Sequence, residues 1–186
     1  MKGMIFTEFL DMVEEKFSLA MVDTILSNAD LPSGGIYTSV GTYAHEEIVQ
    51  LVHNLSDATA IPIPNLLYIF GERLFEKFSL RYAHFLAGAD SSISFLEQLE
   101  TYVHAEVRKL YPEAELPKFE CCRTPDGRLT MLYRSNRSMA DLARGLIHGC
   151  VRYFNEEIEV TQEDLSNGIG SVVKFVLIPS QQIAHS

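Results

Sequence analysis

The chain has 186 residues, 47% of them hydrophobic and 22% charged, and a formal net charge of −10. That length suits about one large domain, and the composition is that of an ordinary globular protein, which excludes a disordered, collagenous or disulfide-dense chain. The negative charge repels phosphate backbones and no Lys/Arg-rich run offsets it, so no nucleic-acid partner is expected.

Ile5, Phe9, Met12, Val13 and Phe17 recur at three- and four-residue steps and predict an amphipathic helix over 5–17. Glu8, Asp11, Glu14 and Glu15 interrupt its apolar run, so the start does not read as a signal peptide. Nothing in the chain approaches the ~18 apolar residues of a membrane span, so no membrane insertion is expected and the cytoplasm is the expected location. A second helix is predicted over 20–28, before Pro32, Gly34 and Gly35 impose a loop. Helical spacing resumes over 43–58. Beyond Pro62 and Pro64 it continues through Leu66, Leu67, Phe70, Leu74, Phe75 and Phe78, with a brief helix over 80–86.

Ser91 or Ser92 can cap a long helix running to about Tyr111, with an apolar stripe of Leu96, Leu99, Val103, Val107 and Leu110. Pro112 ends it. The pattern then changes: stretches 119–123 and 129–135 flank Pro125-Asp126-Gly127, a hairpin turn signal. A helix over 139–154 follows, then a second hairpin, 157–161 and 171–178, around Ser166-Asn167-Gly168. The expected class is α+β, with N-terminal helices followed by a helix-flanked four-stranded antiparallel sheet.

Cys121, Cys122 and Cys150 are odd in number with two adjacent, a poor disulfide framework and a better fit to a reducing compartment. Buried apolar thiols explain them most simply; a redox role for any of the three stays open. His45-Glu46 opens like a zinc-protease helix, but the second ligand is missing. Gly168-Ile169-Gly170 lacks the third glycine of a dinucleotide loop and reads as a turn.

Tyr133-Arg134-Ser135-Asn136-Arg137 carries more. On an extended chain, alternation puts Tyr133, Ser135 and Arg137 on one face, where a phenol, a hydroxyl and a guanidinium fork suit carboxylates. A solvated strand face is the simpler alternative. His104 sits at the edge of the long helix's stripe, with Glu97 and Glu100 nearby. Alone, such a histidine is more often structural or exposed than a ligand. A haem site, however, needs a neutral imidazole at the lip of an apolar cavity and separate donors for two propionates, and these residues supply both.

The sequence closely resembles the bacterial haem-nitric oxide/oxygen binding family, related to the haem domain of soluble guanylate cyclase. The resemblance rests on Met1-Lys2-Gly3, on His104 followed by Leu110-Tyr111-Pro112, on Pro117, on Tyr-x-Ser-x-Arg at 133, 135 and 137, and on Gly145-Leu146-Ile147. It implies one haem-binding domain over 1–182, with an N-terminal helical subdomain to about 60 and a haem-ligating part over 61–182. Haem b (iron protoporphyrin IX) would be buried between the helical and sheet-containing parts. His104 would be the axial iron ligand, Tyr133, Ser135 and Arg137 would hold the propionates, and Pro117 would press on the porphyrin.

Oxygen-binding members carry a tyrosine where this chain aligns Leu142, with Phe9, Leu74 and Phe78 expected to line the same pocket and Ile5 and Leu146 expected among the other haem-binding residues. A hydrogen-bond donor stabilises bound O2 far more than NO, so the resemblance implies an NO sensor that also takes CO and binds O2 poorly. It implies signalling by loss of the iron–His104 bond and haem relaxation, to a separate sensor histidine kinase or cyclic-di-GMP enzyme. No enzymatic activity is expected. A haem-dependent or thiol redox enzyme and a haem carrier are the alternatives, the first needing a polar acid or base that the apolar pocket lacks. Some members hold zinc through C-terminal cysteines, but 164–175 contains none, so no structural metal is expected.

Overall fold

Helix α1 (Gly3–Lys16) turns Phe6, Phe9, Met12 and Val13 inward, close to the predicted stripe, with Ile5 only partly buried. Its start is fastened to a neighbouring loop: the Met1 ammonium donates to the Tyr43 carbonyl at 2.6 Å and the Gly3 amide to Gly41 O at 2.9 Å. A Cβ on Gly3 would lie 1.9 Å from Thr38 O, so a side chain here would push the two segments apart. The structure, a computed structural model, describes residues 1–180, and the expected domain end at 182 lies outside the described residues.

Helix α2 (Leu19–Ser27) is capped by Ser18, whose Oγ accepts from Met21 N at 3.1 Å. Helix α3 (His45–Thr59) contributes Ile48, Leu51, Val52 and Leu55, and helix α4 (Ile63–Arg81) begins with Pro64 in its first turn, where no intrahelical amide is lost. Together they close an N-terminal core around Phe6, Phe9, Ile25, Leu51, Leu66 and Phe70. Burial stabilises each such side chain by about 1.5–3 kcal/mol.

A short helix α5 (Ala83–Leu86) precedes helix α6 (Ser92–Glu97), capped reciprocally by Ser91 and Ser94. The single long helix expected here is not continuous. Residues Leu99–Val103 form a π-helical turn in which the His104 amide donates to Leu99 O, and helix α7 (His104–Leu110) follows. The extra residue rotates what comes after it, so the expected stripe does not hold one face: Leu96 is buried while Leu110 is 59% exposed.

Strands β1 (Lys118–Arg123), β2 (Leu129–Arg134), β3 (Ile158–Asp164) and β4 (Val172–Pro179) form one antiparallel sheet in the order β1-β2-β4-β3. Both predicted hairpins are present, with Gly127 at φ 86° in the first turn and Asn167 and Gly168 at φ 57° and 86° in the second. Leu129, Met131, Tyr133, Phe175 and Leu177 alternate onto the buried face, where helix α8 (Ala140–Tyr153) adds Ala143, Ile147 and Cys150.

Helices α4 and α8 meet almost backbone to backbone. A Cβ on Gly145 would lie 2.1 Å from Tyr68 O, and one on Gly71 2.3 Å from Leu142 O. This contact sets where Leu74, Phe78, Leu142 and Leu146 stand. Among the described residues no helix is long and apolar enough to cross a membrane.

Candidate functional site

Between α1, α4 and α8 on one side, and the π turn, α7, the 111–117 loop and the sheet on the other, lies a cavity of about 890 Å³. That is at the upper end of the ~300–1,000 Å³ range of cofactor-sized sites. Its walls include Ile5, Leu74, Phe78, Leu142, Leu146, Pro117, His104, Tyr133, Ser135 and Arg137. Phe9 is not among them. It stands one turn beyond Ile5 on α1 and packs edge-on against Phe70, ring centroids 5.3 Å apart, so it belongs to the core behind the wall rather than to the pocket surface.

His104 opens α7 and is 9% exposed. Its Nδ1 lies 3.0 Å from Glu100 Oε2. Burial lowers its pKa, with the Glu100 carboxylate partly opposing, so the imidazole is neutral at pH 7. A carboxylate accepts only, so Nδ1 carries the proton and Nε2 keeps its lone pair. Glu100 also receives Arg108 Nη2 at 2.5 Å and the Phe119 amide at 3.2 Å. Burial works to raise the Glu100 carboxyl, but the bonds from Arg108, His104 and Phe119 outweigh it and hold the group below its ordinary value.

Tyr133, Ser135 and Arg137 do share the cavity, though not by strand alternation. Strand β2 ends at Arg134, residues Asn136 and Arg137 form a turn, and Ser138 has φ 51°. Ser135 Oγ accepts the Arg137 amide at 3.1 Å, and this side-chain turn bends the chain into the mouth. Tyr133 is 2% exposed, its hydroxyl accepting from Met139 N at 3.2 Å, which leaves its own proton to donate. Burial raises its pKa and keeps it a phenol. Arg137 reaches Glu115, donating from Nη2 to Oε2 at 2.7 Å and from Nη1 to the main-chain oxygen at 3.1 Å.

Sequence reasoning passed over several participants. Glu100 stands four residues before His104, the helical spacing for a side-chain pair, but in the sequence it is marked only as a nearby acid. Ser79 and Tyr82 also line the cavity and had no motif to mark them. Their hydroxyls are engaged within the protein, Ser79 donating to Glu76 O at 2.8 Å and Tyr82 directed to Met4 Sδ at 3.9 Å.

A neutral buried imidazole in the wall of an apolar cavity, with a phenol, a hydroxyl and a guanidinium lining the same cavity, suits a binding domain for a large apolar cofactor that carries acidic groups and a metal. The haem-NO-binding family model (HNOB) matches residues 2–162, and the chain belongs to that family, the H-NOX haem-binding gas-sensor domains. Among solved structures, it is similar to the Fe(II) unliganded H-NOX protein from K. algicida, at 40% identity over 100% of both chains with a TM-score of 0.94. A point mutant of that protein is 42% identical over 98% of each chain, also at 0.94. The H-NOX from Shewanella woodyi, bound to IWP-051 in the Fe(II)CO state, is 35% identical over 100% of this chain and 98% of that one, with a TM-score of 0.83. Comparison with curated proteins finds no match.

The residues present fit haem. The cavity has the size and apolar walls for the ring, His104 offers Nε2, and the 133–137 turn offers a phenol, a hydroxyl and a guanidinium for carboxylates.

Proposed function

We propose that this domain, over residues 1–182, binds haem b through His104 and is an NO-selective sensor that also takes CO and holds O2 poorly. The observation that carries the reading is the buried neutral His104, its Nδ1 fixed by Glu100, set in the wall of the 890 Å³ cavity. Haem supplies the iron at which a diatomic gas binds. Tyr133, Ser135 and Arg137 hold the propionates; for Arg137 this means sharing its fork between Glu115 and the ligand. Pro117 would contact the ring, and Ile5, Leu74, Phe78, Leu142 and Leu146 would form the apolar wall facing the gas, with Phe9 supporting it from the core.

Selectivity follows from what Leu142 does not offer. A donor in a dry pocket favours O2 by about 1–3 kcal/mol, and the side chains of Ile5, Leu74, Phe78 and Leu142 donate nothing. The same apolar wall argues against peroxide chemistry, which needs a proton donor beside the oxygen, so the domain is read as a non-catalytic sensor. With haem bound, gas occupancy would be read out through release of His104 from the iron, and residues 99–110, which carry that side chain, would be the segment that moves. A π turn adjoining His104 is the kind of local irregularity that accommodates such a change. The partner is a separate sensor histidine kinase or cyclic-di-GMP enzyme, in the cytoplasm, where three free thiols are stable.

The test is reconstitution. The wild-type chain gains a Soret band on haem addition, whereas His104→Gly gains it only when imidazole is supplied. An iron–histidine vibration that persists in His104→Gly places the ligand elsewhere and overturns the reading.

A further inference from the structure

Glu100 joins three elements at one carboxylate. Its Oε2 accepts from His104 Nδ1 at 3.0 Å and from the β1 amide of Phe119 at 3.2 Å, and its Oε1 from Arg108 Nη2 at 2.5 Å. It differs from an ordinary exposed i,i+4 pair, which contributes little. The Glu100 side chain is 28% exposed, the His104 side chain 11%, and the Phe119 bond ties the pair to the sheet.

We propose that Glu100 is the positioning residue of the iron ligand and that Arg108 sets its strength. The inference rests on His104 being that ligand. By holding the Nδ1 proton, Glu100 fixes the tautomer in which Nε2 donates to metal, and its charge makes Nε2 a stronger donor. Arg108 draws charge from the opposite oxygen and tempers the effect. Its side chain is 41% exposed, so the surface of α7 is connected through two hydrogen bonds to the iron ligand. The Phe119 amide holds Glu100 in place against β1, which keeps the imidazole from rotating about its helix.

Three measurements test this. In haem-free wild-type protein, at a pH above the ordinary histidine range, 15N NMR of His104 shows a single Nδ1–H tautomer. In Glu100→Gln, which keeps the shape without the charge, the tautomers mix. In the ferrous haem-loaded form its iron–histidine stretch moves to lower frequency, and haem passes to an acceptor globin about 10–100-fold faster. Arg108→Gln moves the stretch the opposite way, to higher frequency.

A folded Glu100→Gln with unchanged tautomer and stretch overturns the proposal. So does a shift in the same direction for both variants, the mark of simple loosening. If Glu100→Gln does not fold, the wild-type tautomer and the Arg108→Gln shift decide the matter alone. Persistence of the stretch in His104→Gly overturns the ligand assignment and this inference with it, on a variant that leaves Glu100 intact.

Discussion

Gly145→Ala tests the backbone contact on which the cavity is built. The added Cβ would sit 2.1 Å from Tyr68 O and 2.9 Å from Gly71 Cα. Both are backbone atoms, so no side chain can swing aside and α4 and α8 must part by about 1 Å to reach ordinary contact. Overpacking of this kind costs about 1–3 kcal/mol, and a backbone clash falls at the upper end. Alanine returns about 0.8–1.0 kcal/mol of helix propensity, leaving a net loss of about 2 kcal/mol. For a domain of this size that lowers Tm by about 4–8 °C, read by circular dichroism on the haem-free protein. Gly88→Ala is the control: nothing stands within 4 Å of its Cβ, so stability changes by under about 0.5 kcal/mol. A Gly145→Ala protein as stable as wild type refutes the close-contact account of how Leu74, Phe78, Leu142 and Leu146 are placed.

Leu142→Tyr puts a hydroxyl on the cavity wall and is expected to slow O2 dissociation by about 5–150-fold, the equivalent of about 1–3 kcal/mol; stopped-flow release no slower than wild type contradicts the selectivity argument. Burial lowers the pKa of His104, and likewise of His148. As pH falls below about 6.5 the unfolded chain takes up protons that the fold refuses, so haem-free stability is full above that pH and declines down to the folded values. Urea midpoints across this window should show a shallower slope in His104→Gln, and an identical slope would contradict it. Thiol labelling should follow exposure: Cys122 first, then half-buried Cys121, whose thiol burial pushes up to about 11, and Cys150 only on unfolding. Early labelling of Cys150 would overturn the packing of α8 on the sheet.

Elements with strong local signals were legible from the sequence. The apolar period of α1, the Asp126-Gly127 turn and the serine before α6 each report a short-range preference that the fold keeps. The π turn over Leu99–Val103 was not legible, because no residue type marks it and its surroundings decide it. The 133–137 motif was legible as a set of donors, while its route into the cavity depends on the Ser135 turn. Phe9 has the spacing of a pocket residue and the position of a core one, a difference of one helical turn that periodicity alone does not resolve. His104 stands out in the sequence through the 133–137 donors, and Glu100 lies four residues before it, but only the folded geometry pairs that carboxylate with Nδ1.

Whether His104 reports NO and not O2 is decided by the absorbance spectrum of the ferrous haem-loaded protein, first in air and then under NO. In air no persistent O2 spectrum is expected, and under NO the Soret band is expected to be that of haem without its histidine ligand. A stable O2 spectrum, or an NO spectrum in which the histidine remains bound, would contradict it.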